Sequence, residues 1–360
     1  MGATPQYPAR NTRRSGRYGL ALLFGAWSTL AGAQSFQGVS VLGSTMAGSS
    51  AEAVMLNQIE DNKGLRREVV FSSAAALLSG DTNNLRDIYL RSSGGSPYLR
   101  ISVATGGVQS IGGPSSEPAS TPSGNDIVFS STATNLVSGD SNGLSDIFLR
   151  RPFSDETLRV SVASDGTQAN GPSFRPAISA NGRFVAFVSS ASNLVPSDTN
   201  GGTDVFVRDL VAGTTERVSR RSDRTQAAAS GPDARVSISG DGRWVAFSSA
   251  ANDLVPGDSN DVSDIFLHDR LNDTTTRISV DTIEDNPNGA SFNPRISADA
   301  RFVAFDSLAS DLVFSDTNAA ADVFVRLLGA RRTERVSIST TGSQGNGAST
   351  APSISADGRF

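Results

Sequence analysis

The chain has 360 residues, 38% hydrophobic and 19% charged, with 35 glycines and 15 prolines, a globular composition suited to an all-β protein rich in turns. It has no cysteine and one histidine, His268. Disulfides and thiolate chemistry are therefore excluded, and a Ser-His-Asp triad or a His-rich metal site has one residue to be built on. Residues 1–33 carry four arginines and no acid, leaving 27 basic against 36 acidic residues, a net of −9 that does not invite nucleic acid or anionic lipid.

The N-terminus reads as an export signal. Arg13, Arg14 and Arg17 form a positive region, residues 18–30 an apolar stretch too short to span a bilayer comfortably, and Ala31-Gly32-Ala33 an A-x-A cleavage site before Gln34. An uncleaved anchor is the competing reading. The Arg13-Arg14 pair also leaves Sec and twin-arginine export open. No second apolar run follows. The mature protein is expected to be soluble, secreted or periplasmic in a bacterium, without a membrane span.

From residue 34 on, the chain repeats. The first Asp of an acidic loop recurs at Asp81, Asp140, Asp198, Asp258 and Asp316, at intervals of 59, 58, 60 and 58 residues. A period this regular marks a repeat architecture. Each unit holds four short strand candidates. The first is a short small-residue segment: 177–179, 237–239, 295–297, 353–355. An Asn-Gly or Asp-Gly turn follows, as at Asn181-Gly182 and Asp241-Gly242, suited to a tight hairpin. Ala300 lacks glycine's ease at positive φ, so that copy is expected to use another turn. The second candidate (184–187, 244–247, 302–305, with weaker copies at 69–71 and 127–129) and the third (88–90, 147–149, 205–207, 265–267, 323–325) are apolar on both faces, as strands covered on both sides are. The fourth carries Arg, then Val or Ile, then Ser, as at Arg217-Val218-Ser219, and is expected to be a solvent-facing edge.

Four-stranded units whose middle strands are covered on both faces stack around an axis. The expected fold is an all-β β-propeller over residues 34–360. A β-solenoid has much shorter coils, and tandem sandwiches need longer strands and linkers. At the ends, residues 36–42 resemble a fourth strand and residues 352–360 a first strand with the start of a second. Together they suggest five complete units and a sixth, closing blade shared between the termini. Six periods would run about 28 residues past Phe360, so the chain is expected to be C-terminally incomplete. The first two units have drifted at the first turn, where residues 59–64 and Pro122 with Gly124 replace the common pattern.

The order P-x-I-S-x-D-G-R-[FW]-V-A-F followed by D-[IV]-F-[LV]-R-D, over about residues 36–360, resembles the WD-like repeat of TolB-type propellers. That resemblance implies the propeller. It does not imply an activity, since such propellers include periplasmic partner-binding proteins and the non-catalytic propellers of some serine peptidases. The repeats begin right after the signal, which leaves no N-terminal domain like that of TolB itself.

Each unit carries D-[TS]-N-x-x-x-D between its second and third strands: Asp81, Asn83, Asp87; Asp140, Asn142, Asp146; Asp198, Asn200, Asp204; Asp258, Asn260, Asp264; Asp316, Asn318, Asp322. Oxygens at positions 1, 3 and 7 suit Ca²⁺, a hard ion, in a loop similar to that of FG-GAP propellers but two residues shorter. It is not an EF-hand, because position 6 is Arg86, Ser145, Thr203, Ser263 or Ala321 where Gly is required. The competing reading is a set of Asx turns that satisfy local backbone N–H groups.

No copy carries a cluster of unique chemistry. The copy-specific residues are His268, Glu60 with Asp61, and Glu284 with Asp285, read as a surface replacement and as solvated loop carboxylates. The leading expectation is a non-enzymatic, monomeric propeller binding a protein or cell-surface glycan. A polysaccharide hydrolase or lyase using carboxylates from several blades is the alternative. An accessory propeller of a peptidase, with the nucleophile outside this chain, is another.

Overall fold

A computed structural model describes residues 50–61, 64–92, 98–281 and 283–360. Among the described residues twenty strands form five four-stranded antiparallel sheets, each in simple sequence order. The first sheet holds β1 (Ser50–Asp61), β2 (Gly64–Ser73), β3 (Asp87–Ser92) and β4 (Leu99–Arg100). The second holds β5 (Ser115–Ser120), β6 (Ile127–Ser131), β7 (Asp146–Arg151) and β8 (Glu156–Arg159). The third holds β9 (Ser173–Ile178), β10 (Phe184–Ser189), β11 (Asp204–Asp209) and β12 (Thr214–Arg217). The fourth holds β13 (Val236–Ile238), β14 (Trp244–Ser249), β15 (Asp264–Asp269) and β16 (Thr274–Arg277). The fifth holds β17 (Ser291–Ile296), β18 (Phe302–Ser307), β19 (Asp322–Leu327) and β20 (Arg332–Arg335).

The apolar runs place the cores between sheets rather than within them. Val128, Ile147 and Leu149 of the second sheet pack against Val185, Phe187 and Phe206 of the third. Val205, Val207 and Val218 of the third meet Val236, Val245 and Phe247 of the fourth. The first and second, and the fourth and fifth, share cores in the same way. In the second to fifth sheets the middle strands stack one aromatic pair; Phe187 lies opposite Phe206, with ring centroids 5.9 Å apart. First strands of successive sheets lie beside one another, β5 by β9, β9 by β13 and β13 by β17. The sheets thus fan about an axis lined by their first strands. This is a β-propeller of four-stranded units.

The first strands begin earlier than the sequence suggests. β9 starts at Ser173 and reads through Pro176, because a bulge absorbs the missing N–H; Arg175, with φ 56°, takes the left-handed turn of the chain. Glu117 and Asn293 do the same before Pro118 and Pro294. Ala300 does not use a different turn. Its φ is 54°, in the region of Gly182 at 71° and Gly242 at 78°, and Ser297 N–H donates to Phe302 O as Ser239 N–H does to Trp244 O. The same closure recurs from Ser355 to Phe360. The fourth-strand copy at 36–42 and the export signal lie outside the described residues.

The fourth strands are not solvent-facing edges at their arginines. The side chains of Arg159, Arg217, Arg277 and Arg335 are only 8–10% exposed, and Ser161, Ser219 and Ser279 are fully buried. The carboxylates of the acidic loops draw these arginines inward. On the fifth sheet alone, Val336 and Ile338 are 46% and 48% exposed, where Ile278 and Val280 of the fourth are each 4% exposed.

Candidate functional site

The structure brings each predicted loop trio together. In the third unit the loop between β10 and β11 folds back so that Asp198 and Asp204 face Arg217 at the end of β12. Arg217 Nη1 lies 3.1 Å from Asp198 Oδ1 and 3.6 Å from Asp204 Oδ2. Asn200 Nδ2 donates to Asp204 Oδ2 at 2.9 Å and to Ala227 O at 3.2 Å, while its Oδ1 accepts the Gly202 N–H. Ser219 Oγ donates to Asp204 Oδ1 at 2.6 Å, and Gln226 Nε2 to Asp198 Oδ1 at 2.9 Å. Both carboxylates are buried. Burial raises their pKa values even though Arg217 and these donors pull them down.

The other trios repeat this frame. Asn83, Asn142, Asn260 and Asn318 donate to Asp87, Asp146, Asp264 and Asp322 at 3.0–3.1 Å. Gln109, Gln168 and Gln344 donate to Asp81, Asp140 and Asp316. Arg277 lies 3.1 Å from Asp258 and 3.5 Å from Asp264, and Arg335 3.3 Å from Asp316 and 3.6 Å from Asp322. In the first unit Arg100 sits 3.8 Å from Asp81, to which the Tyr89 hydroxyl also donates.

This donor set does not fit Ca²⁺. The ion needs 6–8 oxygens converging on one point. Here a guanidinium stands against both carboxylates in four units and against Asp81 in the first, and the Asn oxygen is taken by a backbone N–H two residues on, so the Asn turns its amide N–H₂ toward the aspartate. The Asx turn and an ion pair account for every trio. Among the described residues no group of three or more His, Asp or Glu side chains is arranged to hold a metal.

The fourth unit breaks the frame. Asn286 stands where the others have Gln, one methylene shorter. It donates to Gly257 O instead, and Asp258 Oδ1, buried, accepts no hydrogen bond. Burial pushes Asp264 in this unit up to about 6, against the pull of Ser279, Asn260 and Arg277.

His268 is not a surface replacement. It is fully buried, as Arg150 and Arg326 nearly are at the same position, because that position faces the preceding sheet. The Thr275 hydroxyl donates to Arg220 O at 2.6 Å, so His268 Nδ1, 2.9 Å from that hydroxyl, carries the proton. The bare Nε2 then faces Asp273 Oδ1 at 3.6 Å, one acceptor against another. Burial, with the Arg220 charge next, holds His268 down to about 4. Glu284 is an exposed loop carboxylate that pairs with Arg326 and Arg331, and Asp285 is exposed. The side chains of Glu60 and Asp61 lie outside those described.

Sequence reasoning missed one group, on the first strands. Glu117, Arg175, Arg235 and Asn293 occupy one register position in successive units, and Arg295 stands where its neighbours have Ala119, Ala177 and Ser237. Arg175 N–H donates to Glu117 Oε2 at 2.6 Å, and its Nη1 to Ala234 O at 2.6 Å. The available signal was variation between copies just before the shared Ile, in a segment whose sequence otherwise repeats.

No family model matches the sequence, and no curated protein does. Among solved structures the chain is similar to a TolB from Acinetobacter baumannii, at 16% identity and a TM-score of 0.44, over 72% of this chain and 50% of that one. It is similar to a putative TolB from Agrobacterium tumefaciens, at 17% identity and 0.46, over 85% and 87%, and to an oligogalacturonate lyase in complex with manganese, at 9% and 0.45, over 81% and 74%. The chain thus spans half the length of the first of these. The propeller assignment rests on the chain's own sheet order and the cores between its sheets.

Proposed function

We propose that this chain is an exported, non-enzymatic β-propeller that binds a protein or cell-surface glycan as a monomeric scaffold, with its acidic loops held by guanidinium groups rather than Ca²⁺. One observation carries the reading. The five Asp-Asn-Asp loops, which a catalytic or metal reading would need, spend their carboxylates on neighbouring Arg, Asn and Ser, and in four of the five on Gln as well. The lone histidine is buried with both ring nitrogens facing protein groups, out of reach of a substrate. The charged run and A-x-A site of residues 1–33 support export.

The test is incubation of the purified chain with a panel of polysaccharides and peptides, reading both retention and products. Retention without new reducing ends, unsaturated sugars or cleaved peptide is expected. Turnover that survives repurification would overturn the reading in favour of the hydrolase or lyase.

A further inference from the structure

Of the first-strand arginines, Arg175 is engaged with Glu117 and Ala234 O, and Arg235 and Arg295 stand beyond it. Ser237 Oγ accepts the Ile296 N–H at 3.1 Å, which lays β13 alongside β17. Side chains two apart on a strand share a face. Arg235 therefore projects toward the fifth sheet as Ser237 does, while Arg295 directly precedes Ile296. Neither guanidinium makes a hydrogen bond or an ion pair within 4 Å among the described residues. The carboxylate facing both is Asp306 on β18, 4% exposed, whose Oδ1 is taken by Asn293 Nδ2 at 2.9 Å and the Ala351 N–H at 3.0 Å. Asp233 is exposed and ion-pairs with neither arginine, and Glu117 is engaged with Arg175. Arg295 is open to solvent yet surrounded by protein, and burial followed by the Arg235 charge depresses its pKa. Both facts hold when solvent enters along the axis of the fan.

Two guanidiniums against one carboxylate leave a single positive charge. We propose that Arg235 and Arg295 form a binding site for one carboxylate, the chain terminus or an isolated acidic side chain of a partner protein, entering along the axis. This rests on the scaffold reading and names the chemistry of its protein partner. Planar guanidinium forks match a carboxylate bidentately, and such charge-assisted bonds are the strong ones. A polyanion is disfavoured: an acidic polysaccharide with a charge on every sugar would meet Asp233, Asp306 and a surface of net −9 after the first carboxylate is satisfied.

The test uses the full chain labelled with ¹⁵N-arginine, titrated with N-acetyl-triglycine, with its amide, and with an oligogalacturonate. Arg235→Gln and Arg295→Gln assign the two side-chain signals, and Arg301→Gln, on an exposed turn, is the control. Saturable shifts of the two assigned signals with the acid, at least about tenfold weaker with the amide, are expected. Unchanged signals, equal response to acid and amide, or tighter binding of the oligogalacturonate at the same pair would overturn the proposal. The readout is the arginines themselves, so a negative result leaves the scaffold reading standing. Turnover in the polysaccharide assay would remove that reading without moving these signals.

Discussion

Arg217→Met tests whether a protein cation holds the acidic loops. Methionine keeps much of the stem and removes the charge. Arg217 lies 3.1 and 3.6 Å from two carboxylates that are 3% and 1% exposed. At an effective dielectric near 20, each contact is worth about 5 kcal/mol of gross attraction. Losing the arginine's own desolvation cost returns several kcal/mol, and breaking buried pairs from one side nets a loss of about 3–5 kcal/mol. For a chain of this size that is a fall of roughly 4–7 °C in the thermal midpoint, read by circular dichroism. The loss carries a signature that packing alone would lack. Asp198 and Asp204 already have raised pKa values from burial, and without Arg217 they rise further. A carboxyl raised in the folded state costs stability once pH passes its unfolded value, so the deficit must be larger at pH 8 than at pH 5. Excess Ca²⁺ should leave the wild-type midpoint unchanged, whereas occupancy at 100 times Kd would add about 2.7 kcal/mol per site. A deficit below about 1 kcal/mol, a pH-independent one, or a Ca²⁺-raised wild-type midpoint would refute the reasoning.

Asn286→Gln restores the amide that Asp258 lacks and should stabilise by about 1 kcal/mol in urea unfolding; a loss would mean that the shorter side chain is there for another contact. His268 is held down to about 4, so the folded state takes up its proton later than the unfolded chain, and stability falls as pH drops from about 6.5 toward 4. Relative to His268→Gln, the wild type should lose about 2 kcal/mol between pH 7 and pH 5; parallel stability curves would exclude the histidine as the cause. Asp264, raised to about 6, runs the opposite way, costing stability as pH rises from about 4 to 6, so only the difference between the variants isolates His268. Ala300→Gly should gain about 1 kcal/mol by relieving a left-handed alanine, while Gly242→Ala should lose more, since the new Cβ would stand 2.1 Å from the Phe184 ring; equal effects would contradict the shared turn.

The fold was legible because each unit repeats the same two apolar strands, and burial on both faces has few solutions. Phe187 and Phe206, apolar on every side in sequence, are indeed covered on every side. The loop trios were legible as clusters but not as to what sits among them. Arg217 comes 19 residues after Asp198, and its alternation with Val218 and Ser219 mimics an edge strand. Only the fold-back of the loop shows that the arginine is a counter-ion. His268 was misread for a related reason: arginines at its position look like surface residues, yet Arg150 and Arg326 are themselves buried against the preceding sheet. The axial arginines were hidden because first strands are short and proline-broken, and their variation looked like loop drift.

The cores that straddle neighbouring sheets have a consequence for how the chain comes apart. No sheet owns a hydrophobic interior, so the smallest piece with one is a pair. Thr157, Thr215, Thr275 and Thr333 each donate at 2.6 Å to a carbonyl of the preceding unit, at Val103, Val162, Arg220 and Val280, and so pin every joint at the same place. Stability then belongs to the joints, and opening should travel like a zipper from whichever joint is weakest. The fifth sheet, with Val336 and Ile338 uncovered, is where amide exchange should start, while the seam between the third and fourth sheets should open last.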